Sequence, residues 1–218
     1  MTACSKGGAE GVFNAGAIEV MAAPLDAPPD TVAELSAWLC EAERGRAARC
    51  RFDRDRRRFI VARARLRQLL AARLGVRPES VEFAYGSNGK PALAQRFGGT
   101  GLSFSLSHCD ELALYAFSRA RAVGIDVEAI RVVREADDIA ARFFSRRENR
   151  AYRALAPGER PLGFLRCWTR KEALVKALGG GLSMPLARLD VSRTPPGWRL
   201  CSFSPLPGFI AAAAVQHG

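Results

Sequence analysis

The 218-residue sequence is 48% hydrophobic and 25% charged, the balance of a globular protein long enough to bury a core as one domain or two small ones. Its 33 Lys and Arg against 22 Asp and Glu give a net charge of +11, which points to an anionic partner: nucleic acid, a phosphorylated small molecule or an acidic protein. Six cysteines without a C-x-x-C pair or a histidine cluster leave zinc and dithiol motifs unsupported. With no signal-like start and no apolar run of about 18 residues, a cytoplasmic chain that spans no membrane is expected.

Residues 1–16 are small and Gly-rich and read as a flexible lead-in. Residues 17–23 read as a first strand, closed by the Pro-rich turn 24–29. The spacing of Val32, Leu35 and Leu39 predicts a helix over 31–49, and that of Phe59, Leu66, Leu69, Leu70 and Leu74 a second over 55–74, stopping before Gly75. SNGKPAL, 87–93, is a turn followed by a short apolar segment. The alternations Leu102, Phe104, Leu106 and Leu112, Leu114, Ala116, with Cys109 and Asp110 between them, predict a hairpin. After Ser118 the pattern restarts. A strand over 123–128 precedes a helix over 137–144, and a capping box from Ser145 to Glu148 opens a further helix toward Leu155. A longer helix over 161–178 ends at three glycines, and strands follow at 186–191, 198–203 and 209–215. Each part gives strand, helices and a small meander. The expected fold class is α+β, in two similar halves, 1–118 and 119–218.

The chemistry concentrates in two runs. In VGIDVEAI, 123–130, strand alternation sends Val123, Ile125 and Val127 to one face and Asp126 and Glu128 together to the other. In FLRCWTRKEALVKALGGG, helical spacing puts Trp168, Glu172 and Lys176 on one face with Lys171 beside them. Alone, the first pair is what a solvated strand face carries and the second what a surface helix carries. Together, three carboxylates make the hard-oxygen set that Mg²⁺ prefers, with lysines beside it to neutralise a polyphosphate. Ser107-His108 ends a predicted strand, where a histidine serves as a structural hydrogen-bonder, a phosphate contact or an acid–base group. No GxSxG elbow supports covalent catalysis.

GKPAL (89–93), SFSLSHC (103–109), GIDVE (124–128), RFFSRRE (142–148) and WTRKEALVK (168–176) occur in the order seen in 4'-phosphopantetheinyl transferases. Over roughly residues 44–191 the chain resembles the larger, pseudo-dimeric type of that family. The resemblance implies two α+β halves around a pseudo-twofold axis, with coenzyme A and Mg²⁺ bound between them. It implies that Asp126, Glu128 and Glu172 bind the metal, for which Mn²⁺ can substitute because oxygen ligands suit both. It further implies that a serine of an acidic apo carrier protein, acyl or peptidyl, attacks the β-phosphate and releases adenosine 3',5'-bisphosphate. Glu172 would take the serine proton, directly or through a metal-bound water. By the same resemblance Lys176 and Lys171 contact phosphates or the pantetheine arm, Ser107 and His108 grip the phosphates, and Lys90 lies near the adenine end. Arg58 helps hold the 3'-phosphate, Glu148 supports the site, and Arg44, Arg46 and Arg49 are further basic candidates. A monomer is expected from the internal pseudo-dimer.

Two rivals remain. A metal-dependent phosphohydrolase would need a similar carboxylate cluster but gives no reason for the other motifs. A nucleic-acid arm is suggested by residues 41–77, where 13 arginines face 4 acidic residues, net +9. Those arginines interrupt an amphipathic helical pattern without interleaved stacking aromatics, which favours a binder of phosphorylated coenzyme or acidic carrier over a binder of nucleic acid.

Overall fold

A computed structural model of the chain describes residues 12–14, 18–86, 89–181 and 184–217. The first part runs through β1 (Val12–Asn14), β2 (Glu19–Pro24), α1 (Pro29–Ser36), α2 (Glu41–Ala48) and α3 (Asp53–Leu74). A small ribbon of β3 (Phe83–Tyr85) and β4 (Pro91–Leu93) precedes the hairpin β5 (Leu102–Cys109) and β6 (Leu112–Arg119). The second part is β7 (Val123–Ala129), α4 (Ala136–Phe143), α5 (Arg146–Arg153), α6 (Arg160–Leu178), β8 (Trp198–Phe203) and β9 (Phe209–Gln216).

Apart from β1 and the ribbon, the two parts share one wiring: a strand, three helices of which the third is longest, and two strands. The sheet orders β2-β6-β5 and β7-β9-β8 both place the last strand between the other two, antiparallel throughout. Alternation along each strand then builds layers. Ala113, Tyr115 and Phe117 pack against Ile60, Ala64 and Leu66 of α3, while Leu112, Leu114 and Ala116 pack with Val20, Ala22, Val123, Ile125, Ala211 and Ala213. On the far side Ala212 and Ala214 meet Ala173, Leu174 and Ala177 of α6. The order is helices, sheet, sheet, helices. β6 and β9 are the central strands and are buried along all but their last residue.

The capping box forms as expected: Ser145 Oγ accepts from Glu148 N at 3.2 Å, and Glu148 Oε2 accepts from Ser145 N at 2.6 Å. Three expectations need correction. The helix over 31–49 is two helices, because Cys40 is extended (φ −72°, ψ 167°) and its N–H donates to Glu43 Oε2 at 3.0 Å, opening α2 anew. Residues 186–191 form no strand, but a 3-10 turn at Leu186–Arg188 and a bend whose Leu186 and Leu189 carbonyls turn to Lys171. Within the supposedly flexible lead-in, Val12–Asn14 pairs with β2; the rest of that lead-in, apart from these three residues, lies outside the described residues.

Candidate active site

Gly124 decides how close α6 comes to β7. A Cβ there would stand 1.9 Å from Ala173 O and 2.5 Å from Ala177 N, so the helix lies directly on the strand. Ala173 and Ala177 are one turn apart, and the residues preceding each, Glu172 and Lys176, are carried beside Asp126, two residues along the same strand face. The motif GIDVE is thus a packing instruction as well as a set of carboxylates.

The other side of β7 meets β5 through side chains instead of a backbone ladder. Ser105 Oγ accepts from Ile125 N at 3.2 Å, Ser107 Oγ donates to Asp126 Oδ1 at 2.8 Å, and Cys109 Sγ accepts from Ala129 N at 3.3 Å. The Cys109 thiol also donates to Glu128 Oε2 at 3.6 Å, and burial pushes it up to about 11. Three alternate residues of one strand therefore seam the two halves at the site.

At this seam Lys176 Nζ donates to Asp126 Oδ1 at 2.7 Å and to Ser107 Oγ at 3.0 Å. Asp126 Oδ2 and Glu172 Oε1 are buried and have no hydrogen-bond partner among the described residues. Burial, and then the charge of Asp126, raise both Glu128 and Glu172 above the usual carboxylate range; Lys176 opposes this in both. Among the described residues no three His, Cys, Asp or Glu side chains are gathered tightly enough to hold a metal ion. The three carboxylates repel one another, and the Lys176 ammonium takes one oxygen of the central one. Two orphaned carboxylate oxygens in one field of negative charge nonetheless fit a divalent cation, which satisfies both needs at once.

Beside this cluster opens a cavity of about 670 Å³. Ser107, His108, Lys90, Glu172 and Lys176 line it, joined by Arg46, Phe59 and Arg63 from α2 and α3. Among the described residues lining it, Glu172 is the one acid, against Arg46, Arg63, Lys90 and Lys176, so the space is electropositive. Lys90 Nζ donates to Val123 O at 3.3 Å and to Lys176 O, crossing from one half to the other; burial, then Lys176, lower its pKa. His108 is held below the usual imidazole range by desolvation, then by Lys176 and Arg46.

Two expected contacts lie elsewhere. Lys171 is fully buried, its ammonium 2.8 Å from Glu148 Oε2 and 2.8 Å from Leu186 O, with Leu189 O as a third acceptor. It is a structural cation and has no free donor for a phosphate. Arg58 makes a bidentate pair with Asp26, Nε to Oδ1 at 2.7 Å and NH2 to Oδ2 at 2.8 Å, and is not among the cavity's lining residues. Of the three neighbouring arginines, Arg46 reaches the cavity. Arg63 was not singled out from the sequence; its place one turn beyond Phe59 on α3 is the signal that would have found it.

Comparison with known proteins agrees with this arrangement. A family model described as the 4'-phosphopantetheinyl transferase superfamily matches residues 122–212, and one described as 4'-phosphopantetheinyl transferase, N-terminal, matches 28–120. The 4'-phosphopantetheinyl transferase HetI of Nostoc is 40% identical over 201 residues, 88% of this chain and 84% of that protein. The 4'-phosphopantetheinyl transferase psf-1 of Bacillus pumilus is 30% identical over 185 residues, 85% of this chain and 76% of that protein.

Proposed function

Since this chain belongs to the 4'-phosphopantetheinyl transferase family, we propose that its cavity holds coenzyme A beside a divalent cation and that the seam cluster carries out the transfer. The enzyme moves 4'-phosphopantetheine from coenzyme A to a serine of a carrier protein. The observation that carries the reading of the site is Lys176 bridging Asp126 and Ser107 at the edge of an electropositive cavity that contains Glu172.

Asp126, Glu128 and Glu172 are the residues to hold the cation, Mg²⁺ or Mn²⁺, which when bound supplies charge neutralisation at the pyrophosphate. Lys176 presents its remaining N–H to the phosphate oxygens, held in place by Ser107, whose one O–H is given to Asp126, and His108 and Lys90 extend that donor set along the cavity wall. As the carrier serine forms its O–P bond, the bond to adenosine 3',5'-bisphosphate breaks, and the charge that grows on that leaving group would be offset by the cavity's lysines, Lys90 and Lys176, and by a bound cation. The serine proton passes to the Glu172 carboxylate, whose raised pKa makes it a stronger base than an exposed carboxylate.

The division into halves at residues 118 and 119 is supported by the shared wiring and by two family models whose matches meet at 120 and 122. An acidic carrier as partner suits the surplus of arginine. Against a nucleic-acid role, Arg58, Arg63, Arg67 and Arg73 of α3 are engaged with Asp26, Glu43 and Glu19 within the protein. The five described cysteines are free, which suits the reducing cytoplasm, and among the described residues no helix is long and apolar enough to cross a membrane. The monomeric state is inferred from the internal repeat alone.

The test is direct. Incubated with apo carrier protein, coenzyme A and Mg²⁺, the enzyme should add one phosphopantetheine to the carrier, seen by intact mass. Coenzyme A consumed with the carrier unchanged would favour the phosphohydrolase instead.

A further inference from the structure

Asp126 and Glu128 lie two residues apart on β7, and Ser107 and Cys109 lie two apart on β5, across the seam. The pairs match in register. Ser107 Oγ donates to Asp126 Oδ1 at 2.8 Å, and the Cys109 thiol donates to Glu128 Oε2 at 3.6 Å. Asp126 also has the Lys176 ammonium at 2.7 Å. Glu128 has no such cation: among the described residues it makes no ion pair, and Cys109 is its one hydrogen-bond donor. Arg131, three residues along, is paired with Asp110 at 3.8 Å instead. Cys109 is itself fixed. It is buried, and its Sγ accepts from Ala129 N at 3.3 Å, so the sulfur is tied to the backbone beside the residue it serves. Asp110 Oδ2, at 3.9 Å, is the more distant acceptor for the thiol.

We infer that Cys109 is a positioning residue, whose thiol holds the Glu128 carboxylate toward the cation shared with Asp126 and Glu172, as Ser107 holds Asp126. The inference rests on reading those three carboxylates as the cation set. Glu128 needs the help most. It is half-buried, its side chain is long and flexible, and the charge of Asp126 pushes it away. A thiol is a weak donor, so it can set the direction of a carboxylate while leaving nearly all its charge for a cation. An ammonium in the same place would compete for that charge. Groups behind a metal ligand govern its orientation in this way, and their loss is felt in metal affinity. The first half supplies no carboxylate to the set, yet through two alternate residues of β5 it directs two of the three.

The experiment compares the wild type with Cys109→Ala, which removes the thiol, and Cys109→Ser, which keeps a donor and an acceptor in its place. Mn²⁺ binding, with coenzyme A present and no carrier, is read from the loss of the free-ion EPR signal. Cys109→Ala should weaken it by about 10-fold, the lower end for a group behind a metal ligand, and Cys109→Ser should restore most of the loss. The Mg²⁺ concentration for half-maximal transfer should follow the same order, while KM for coenzyme A at saturating Mg²⁺ stays near the wild-type value in both. Equal losses in the two variants, or wild-type Mn²⁺ affinity in Cys109→Ala, overturn the inference. Should Cys109→Ala not fold, Cys109→Val and Cys109→Thr, alike in shape and differing in the hydroxyl, make the same comparison. A wild type that binds no Mn²⁺ removes the cation reading and the inference with it. A wild type that binds Mn²⁺ no better than its alanine variant overturns the role of Cys109 alone.

Discussion

Lys176 Nζ and Asp126 Oδ1 are 2.7 Å apart, and this contact fastens the helix of the second half to the strand that carries the central carboxylate. Asp126 is only 5% exposed, and its second oxygen has no hydrogen-bond partner among the described residues. Replacing Asp126 with Ala should remove transfer by well over the roughly 10- to 100-fold typical of groups that merely orient a metal ligand. It should also abolish any Mg²⁺-induced rise in melting temperature. Retention of either property at saturating Mg²⁺ would remove Asp126 from the metal set.

The raised Glu128 and Glu172 carboxyls give a pH dependence of defined sign. Both keep their proton in the folded state at pH values where the unfolded chain, near the usual 4.5, has lost it. Folded stability therefore falls as pH rises from about 4.5 through the raised range. Mg²⁺ opposes this by binding the ionised forms, so the melting-temperature gain on adding Mg²⁺ should be small near pH 5 and grow toward pH 8. A gain independent of pH would contradict the shared cation site.

Gly124→Ala is expected to be one of the most damaging single-methyl changes in the chain. The new Cβ would meet the Ala173 carbonyl, and backbone cannot swing aside as a side chain does. Overpacking of this kind costs on the order of 1–3 kcal/mol or more, read as a shift in the chemical-denaturation midpoint. Lifting α6 from β7 also carries Glu172 and Lys176 away from Asp126. Transfer should thus fall even in the fraction that remains folded; unaltered kcat with a folded variant would detach the helix position from the site.

Lys171 and Arg58 separate structural from binding cations. Lys171→Met leaves Glu148 charged and buried, and should destabilise by about 3–5 kcal/mol. A stable Lys171→Met enzyme with a raised KM for coenzyme A would restore the phosphate-contact role. Arg58 pairs with Asp26, whose side chain is 62% exposed, so Arg58→Ala should cost at most about 1 kcal/mol and leave KM for coenzyme A unchanged.

Much of this is legible in the sequence. Two-residue alternation placed Asp126 and Glu128 on one face, helical spacing brought Glu172 and Lys176 to a common side, and Ser145 to Glu148 announced its own helix start. What stayed hidden was partnership across the chain. Lys171 and Lys176 are both basic residues of one helix, and only the packing of Glu148 and the 186–189 carbonyls distinguishes the buried one. The break between α1 and α2 turns on a cysteine at the capping position, a residue type that gives no ordinary start signal. Alternation in 186–191 suggested a strand, but its carbonyls were claimed by an ammonium from another element. Arg63 looked like one more arginine in a basic run because its place on the cavity wall, paired with Glu43, is set only once α2 and α3 have packed.

The side-chain seam between β5 and β7 makes the two halves resemble separate proteins that share one chain. Ser105, Ser107 and Cys109 fasten them where a continuous sheet would have used its ladder, and Gly101 O accepts from Ala120 N at 2.7 Å just before the crossing. Cut within the 120–122 link, the halves would still be held by the apolar layer between the sheets, and the bound coenzyme would act as a strap across both. Each half supplies only part of the site, so neither fragment would work unaccompanied, and mixing the two should regenerate activity. A protein built this way lends itself to a split reporter, with reassembly read out as a modified carrier.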